Sequence, residues 1–184
     1  MSTYKDLNEI FAAKKNALSQ IELVGRGLSD AQLGFKPMSG GWSINEVLEH
    51  LVIVEAPLVR LITTLTDKAE SATGPNPPMH TFEVSLEPHL ERSRTEKYVT
   101  RENYNPKNIQ NALASLSALR QVQSELLKLR PRLETVDPTL VRFPHWIFGP
   151  LDLAQWLAFV GIHDERHLQQ INAIVASPEF KTKV

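Results

Sequence analysis

Six histidines occur in the chain, and three of them fall where their imidazoles can converge. His163 and His167, in "GIHDERHLQQI", are four residues apart. On a helix that spacing sets their Cβ atoms about 5–6 Å from each other on adjacent turns, a gap that one metal ion can bridge. At ~100° per residue both share an arc with Leu153, Trp156, Leu157, Val160, Leu168, Ile171, Ile174 and Val175. Asp164 falls in the same arc, whereas Glu165, Arg166, Gln169 and Asn172 point to the other side. A single core histidine is ordinarily hydrogen-bonded packing, but two on one apolar face need polar partners in the same small volume. His50, in "GWSINEVLEHLVIVE", lies beside the apolar stripe of another helix and can supply a third imidazole. Three neutral imidazoles around Zn²⁺ or another divalent ion leave open positions for water or substrate.

Two carboxylates share those apolar faces. Glu55 lies near the middle of a stripe, between Leu51 and Leu58. It reads either as an ion-pair partner of polar groups around Asp164 or of a buried arginine, or as an acceptor lining the site. Asp164 either orients the free ring nitrogen of a ligand or belongs to an internal salt bridge. His80 and His89 sit in a polar connection and read as solvated, and His145, beside Trp146 in "FPHWIFGP", reads as loop packing.

Other chemistries lack their parts. The chain has no cysteine, which removes disulfides, thiolate nucleophiles, Cys-type zinc sites and iron–sulfur clusters together. G-x-S-x-G, the Walker A pattern and G-x-G-x-x-G do not occur. The second position of the H-x-x-x-H segment is Asp164, not the Glu of a zincin protease.

The scaffold around these residues is bounded by composition. At 184 residues, 42% hydrophobic and 22% charged, the chain reads as a single domain over residues 1–184. A formal net charge of −1 provides no basic field for nucleic acid. Charged residues in "MSTYKDLNEIFAAKKNALSQ" and the lack of a long uncharged apolar run read as a cytoplasmic protein without a membrane span.

Four segments carry helical signals. The first is expected from Thr3, as cap, to Val24, with an end near Gly25 and Gly27 and a short helical turn in "LSDAQLGFKPMSGG". The second opens at the capping box Ser43-Ile44-Asn45-Glu46 and carries Val47, Leu48, Leu51, Leu58, Leu61, Ile62 and Leu65. Periodicity then fades from Asp67 to Asn105, a stretch long enough to cross the molecule or cover something. Asn105-Pro106 is expected to start the third helix and Pro131 to stop it. An aromatic loop precedes a fourth helix from about Leu151 to Ala176. The class is all-α, a four-helix bundle whose long crossover joins helices two and three.

The pieces "GWSINEVLEHL", "FGPLDLAQWLAF" and "HDERHLQQI", in that order and spacing, resemble the DinB superfamily, which includes the YfiT-like metal-dependent hydrolases. The resemblance implies an up-up-down-down bundle, commonly dimeric, with a divalent metal held by one helix-two and two helix-four histidines. By position those are His50, His163 and His167, the same three reached from helical phase. The family includes S-transferases and isomerases that use low-molecular-weight thiols such as bacillithiol or mycothiol. Bacillithiol-type members tend towards H-L-x-D, where this chain has His50-Leu51-Val52-Ile53.

The expected protein is therefore a homodimeric metal-dependent hydrolase or thiol S-transferase acting on a small molecule, with a low-molecular-weight thiol as the candidate substrate. Zn or Ni leads the choice of metal, with Mn and Fe behind. A Lewis-acid ion that lowers the pKa of a water or thiol would supply the nucleophile, with Glu55 and Asp164 as candidate supporting groups. The alternative is a non-catalytic, stress-associated binding bundle whose histidines are structural.

Overall fold

A computed structural model describes residues 3–38, 40–74, 82–87 and 101–183. Four long helices dominate it, α1 (Leu7–Arg26), α3 (Ile44–Thr73), α4 (Ala112–Leu133) and α5 (Leu153–Ala176). Two short ones, α2 (Asp30–Leu33) and α6 (Pro178–Lys183), lie in the first connection and at the end. α1 packs on α4 and α5, and α3 packs on the same two, which closes a four-helix bundle.

The apolar stripes fill two clusters stacked along the bundle. One gathers Leu7, Ile10, Phe11, Ile62, Leu65, Leu126, Leu129, Trp156 and Val160. The other gathers Leu18, Ile21, Val47, Leu48, Leu51, Leu116, Leu119, Leu168 and Ile171. Which end of each helix enters which cluster fixes its direction. α1 and α5 run from the first cluster to the second, and α3 and α4 run the opposite way. The order is thus up-down-down-up, which corrects the up-up-down-down order implied by the resemblance. The connection from Gly27 to Ser43 reverses the chain, whereas parallel α3 and α4 require the long crossover.

Four boundaries differ from the sequence expectation, each for a local reason. Thr3 does not cap α1. Thr3–Tyr4 forms β1, paired antiparallel with β2 (Val84–Ser85) from the crossover, and Asp6 caps α1 by accepting the Glu9 amide at 2.9 Å. α3 runs on to Thr73, because Arg132 of α4 binds Asp67 and Glu70 at 2.6–2.7 Å and its last turns bury Leu65, Thr66 and Ala69. α4 starts after Asn111, whose side chain accepts the Ala114 amide, and not after Asn105. The amides at 107–110 are diverted to the carboxylate of Glu49, with Asn108 at φ 56°, so this stretch cannot wind into the helix. Pro131 sits inside the final turns of α4, where it forfeits one i→i−4 bond close to a terminus.

The aromatic loop is a hairpin. β3 (Arg142–His145) pairs antiparallel with β4 (Gly149–Asp152), and Gly149 takes φ 74° at the turn. Asp152 and Gln155 then form the capping box that launches α5. No helix among the described residues is long and apolar enough to cross a membrane.

Candidate metal centre

His50 from α3 and His163 and His167 from α5 meet inside the bundle, 3%, 8% and 1% exposed. One ring nitrogen from each lies within 4.8 Å of the others. The helical spacing reads through directly, with ring centroids of His163 and His167 4.5 Å apart and Nε2 atoms 3.2 Å apart. His50 approaches from the facing helix at 5.4 and 4.8 Å between centroids.

The hydrogen bonds fix all three tautomers, that of His163 through its Nε2–H, which donates at 3.2 Å to the acceptor Nε2 of His167. Nδ1 of His50 lies 2.8 Å from the Tyr104 carbonyl oxygen, which only accepts, so Nδ1 carries the proton and Nε2 keeps its lone pair. A guanidinium nitrogen of Arg166 lies 2.7 Å from Nε2 of His167, and arginine only donates. Nε2 is therefore the acceptor there, and Nδ1–H donates to Gln170 Oε1 at 2.9 Å. Nε2 of His50 and Nδ1 of His163 are buried without a hydrogen-bond partner.

All three imidazoles are held neutral. Burial lowers the pKa of His50 to about 4, against the help of its Tyr104 bond. Burial again leads for His163 and His167, joined by the neighbouring imidazoles and by the charge on Arg166. Neutral rings keep the lone pairs that metal binding requires. Trp42 sits 4.6 Å from His50 and is stacked 6.5 Å from His167, while Phe159 lies 5.6 Å from His163. These two rings wall the cluster.

Glu55 and Asp164 are not bonded to the imidazoles. Both bind Lys14, with Lys14 Nζ 2.6 Å from Glu55 and closely engaged by Asp164, all at 3% exposure or less. Burial opposes the charge on Lys14, but the two carboxylates outweigh it and hold its pKa above the usual value. Burial and the neighbouring Asp164 push Glu55 well above the ordinary carboxylate range. Both residues therefore sit in an internal salt bridge, with Lys14 and not an arginine as the cation. This polar layer lies between the two apolar clusters, one residue from each of α1, α3 and α5.

Among the other histidines, His145 is the packing residue expected. Its Nδ1 accepts the amides of Ile147 and Phe148 at 3.1 and 3.2 Å, and its ring stacks on Phe148 and meets Phe159. His80 and His89 lie outside the described residues. Lys14, Tyr104, Arg166 and Gln170 were not singled out by sequence reasoning. Lys14 had a readable signal, since it sits three and four residues from Phe11 and Leu18 on the apolar stripe of α1. Arg166 points away by helical phase, yet its long side chain returns to His167. Tyr104 acts through its backbone, which no residue type announces.

A family model described as the DinB superfamily matches residues 18–171. The uncharacterized protein YuaE of Bacillus subtilis (strain 168) is 30% identical over 155 residues, which cover 81% of this chain and 86% of that protein. The crystal structure of TT2238, a four-helix bundle protein, aligns with a TM-score of 0.58 at 20% identity, covering 92% of this chain and 98% of the other. At that identity the likeness shows the fold.

Proposed function

The chain belongs to the DinB superfamily, and we propose that it is a divalent-metal-dependent enzyme acting on a small molecule, as a hydrolase or thiol S-transferase, with His50, His163 and His167 as its metal ligands. The observation that carries this reading is Nε2 of His50, a buried lone pair without a partner beside two further imidazoles. An unsatisfied buried polar atom costs about 1–3 kcal/mol, which coordination offsets. Neutral imidazole donors suit Zn²⁺ and Ni²⁺ first, with Fe²⁺ and Mn²⁺ behind. Structural histidines, the alternative, leave that nitrogen unexplained.

A divalent ion held by His50, His163 and His167 would supply Lewis acidity that lowers the pKa of a bound water or thiol. The chain's own residues do the rest. Tyr104 and Gln170 hold the rings of His50 and His167 with Nε2 as the lone-pair nitrogen. Burial keeps the rings unprotonated, and Trp42 and Phe159 limit the water around them. The chain has no cysteine, so a reacting thiol must arrive as substrate.

Metal analysis of untagged protein, purified with Zn, Ni, Mn and Fe supplied, tests the site. About one ion per chain is expected by the three-ligand arithmetic, lost in His163→Ala and His167→Ala. A wild-type chain without stoichiometric metal overturns the reading. The same reading takes the protein as a cytoplasmic homodimer, and sedimentation of the metal-loaded chain measures its mass.

A further inference from the structure

The lone pair on Nε2 of His167 is already in use. Arg166 donates to it at 2.7 Å while Gln170 occupies Nδ1 of the same ring. A metal ion needs that same lone pair, so the two occupancies exclude each other. Arg166 is an exposed residue on α5, which leaves its side chain room to swing away towards solvent.

The charges around the cluster decide what the released guanidinium meets. The three imidazoles are neutral, and the buried carboxylates nearby are committed elsewhere. Glu55 and Asp164 hold Lys14, and Glu46 holds Lys36 and Asn108. Glu49 accepts four backbone amides. Among the described residues no carboxylate pairs with Arg166. A divalent ion on three neutral ligands, with a guanidinium beside it, leaves an excess of positive charge that the chain does not balance. A guanidinium presents a planar fork suited to a carboxylate or phosphate.

We infer that Arg166 fills the His167 lone pair in the metal-free chain, yields it to the metal, and then binds an oxyanionic group of the substrate, so that the site takes anionic small molecules. This rests on the metal-site reading proposed above and names the substrate class for it. Arg166 is then a binding residue that touches the substrate at a distance from the reacting atom.

The test uses the Co²⁺-loaded full chain and three thiol probes, 3-mercaptopropionate, its neutral amide 3-mercaptopropionamide, and 2-mercaptoethylphosphonate. Binding is read from thiolate-to-cobalt charge-transfer absorption in wild type, Arg166→Gln and Arg166→Lys. An anionic probe is expected to bind the wild type roughly tenfold or more tightly than the amide, as a charge-assisted pair implies. Arg166→Gln should abolish that preference by weakening the anionic probes far more than the amide, and Arg166→Lys should keep part of it. Whichever anionic probe gains more identifies carboxylate or phosphate as the group recognised. Equal preference in wild type and Arg166→Gln overturns the anion site. Co²⁺ itself should bind Arg166→Gln several-fold more tightly, since no guanidinium has to be displaced, and unchanged Co²⁺ affinity overturns the exchange on His167. If the wild type shows no Co²⁺ ligand-field absorption, the metal reading itself falls and this inference with it. Cobalt binding without anion preference sinks this inference alone.

Discussion

The carbonyl oxygen of Tyr104 lies 2.8 Å from Nδ1 of His50, and the residue before that histidine, Glu49, takes the amides of Lys107, Asn108, Ile109 and Gln110. Two neighbours on α3 thus grip the end of the crossover, one by its carboxylate and one by its ring. The returning segment supports the site as well as connecting helices.

Removing that grip should be felt at the metal. In Glu49→Ala the amides at 107–110 lose their acceptor, Tyr104 loses its anchor, and His50 loses a fixed orientation. Metal affinity is expected to fall about 10- to 100-fold, the usual range for a lost partner behind a ligand. Chelator competition measures it, and wild-type affinity in the variant would show that Tyr104 is held by other means.

Lys14 should be the most costly single polar residue to remove. Lys14→Met leaves Glu55 and Asp164 buried without their cation, which is expected to cost about 3–5 kcal/mol of stability. Replacing all three by apolar residues of similar volume should recover most of it. Urea denaturation of both variants decides the matter, and a triple variant no more stable than Lys14→Met would count against the ion-pair account.

The metal-free protein should weaken in mild acid. The folded pKa of His50, about 4, lies below its ordinary value of 6.5, and those of His163 and His167 are lowered too. The unfolded chain therefore binds protons below pH ~6.5 that the folded chain refuses, and stability is lost as pH falls from about 6.5 towards 4. Thermal midpoints of the chelator-treated protein should drop across that window. His50→Gln should drop less, and an identical pH profile in that variant would contradict the assignment.

Metal should stabilise the wild type by mass action. At a free concentration of 100 times Kd the gain is about 2.7 kcal/mol. Melting curves with and without Zn²⁺ should separate for the wild type and coincide for His50→Ala, His163→Ala and His167→Ala. Shifts in these three variants equal to that of the wild type would place the binding elsewhere.

Much of this arrangement is legible in the sequence, for a physical reason in each case. His163 and His167 lie four apart on one apolar face, and helical geometry alone brings their rings to 4.5 Å. The Ser43–Glu46 box is a local hydrogen-bond pattern and forms where the residues say it should. The four-helix class follows from stripes long enough to bury only against one another. What was illegible depends on distant partners. Asn105-Pro106 carries every local sign of a helix start, but Glu49 competes for the amides that follow. The late turns of α3 look like connection until Arg132, far along the chain, is placed against Asp67 and Glu70. Helix directions depend on how the chain crosses the molecule, which periodicity does not encode.

The Lys14–Glu55–Asp164 layer has a consequence for how the site tolerates change. Sliding α1, α3 or α5 by one turn, ~5.4 Å, would strand a charge among leucines and isoleucines, so the layer acts as a pin for axial alignment. His163 adjoins Asp164, and His50 stands five residues before Glu55, so the pin also sets how far apart the ligands lie. The apolar clusters on either side can then exchange one leucine or isoleucine for another while the imidazoles keep their places, which leaves the lineage room to drift in its core without losing its site.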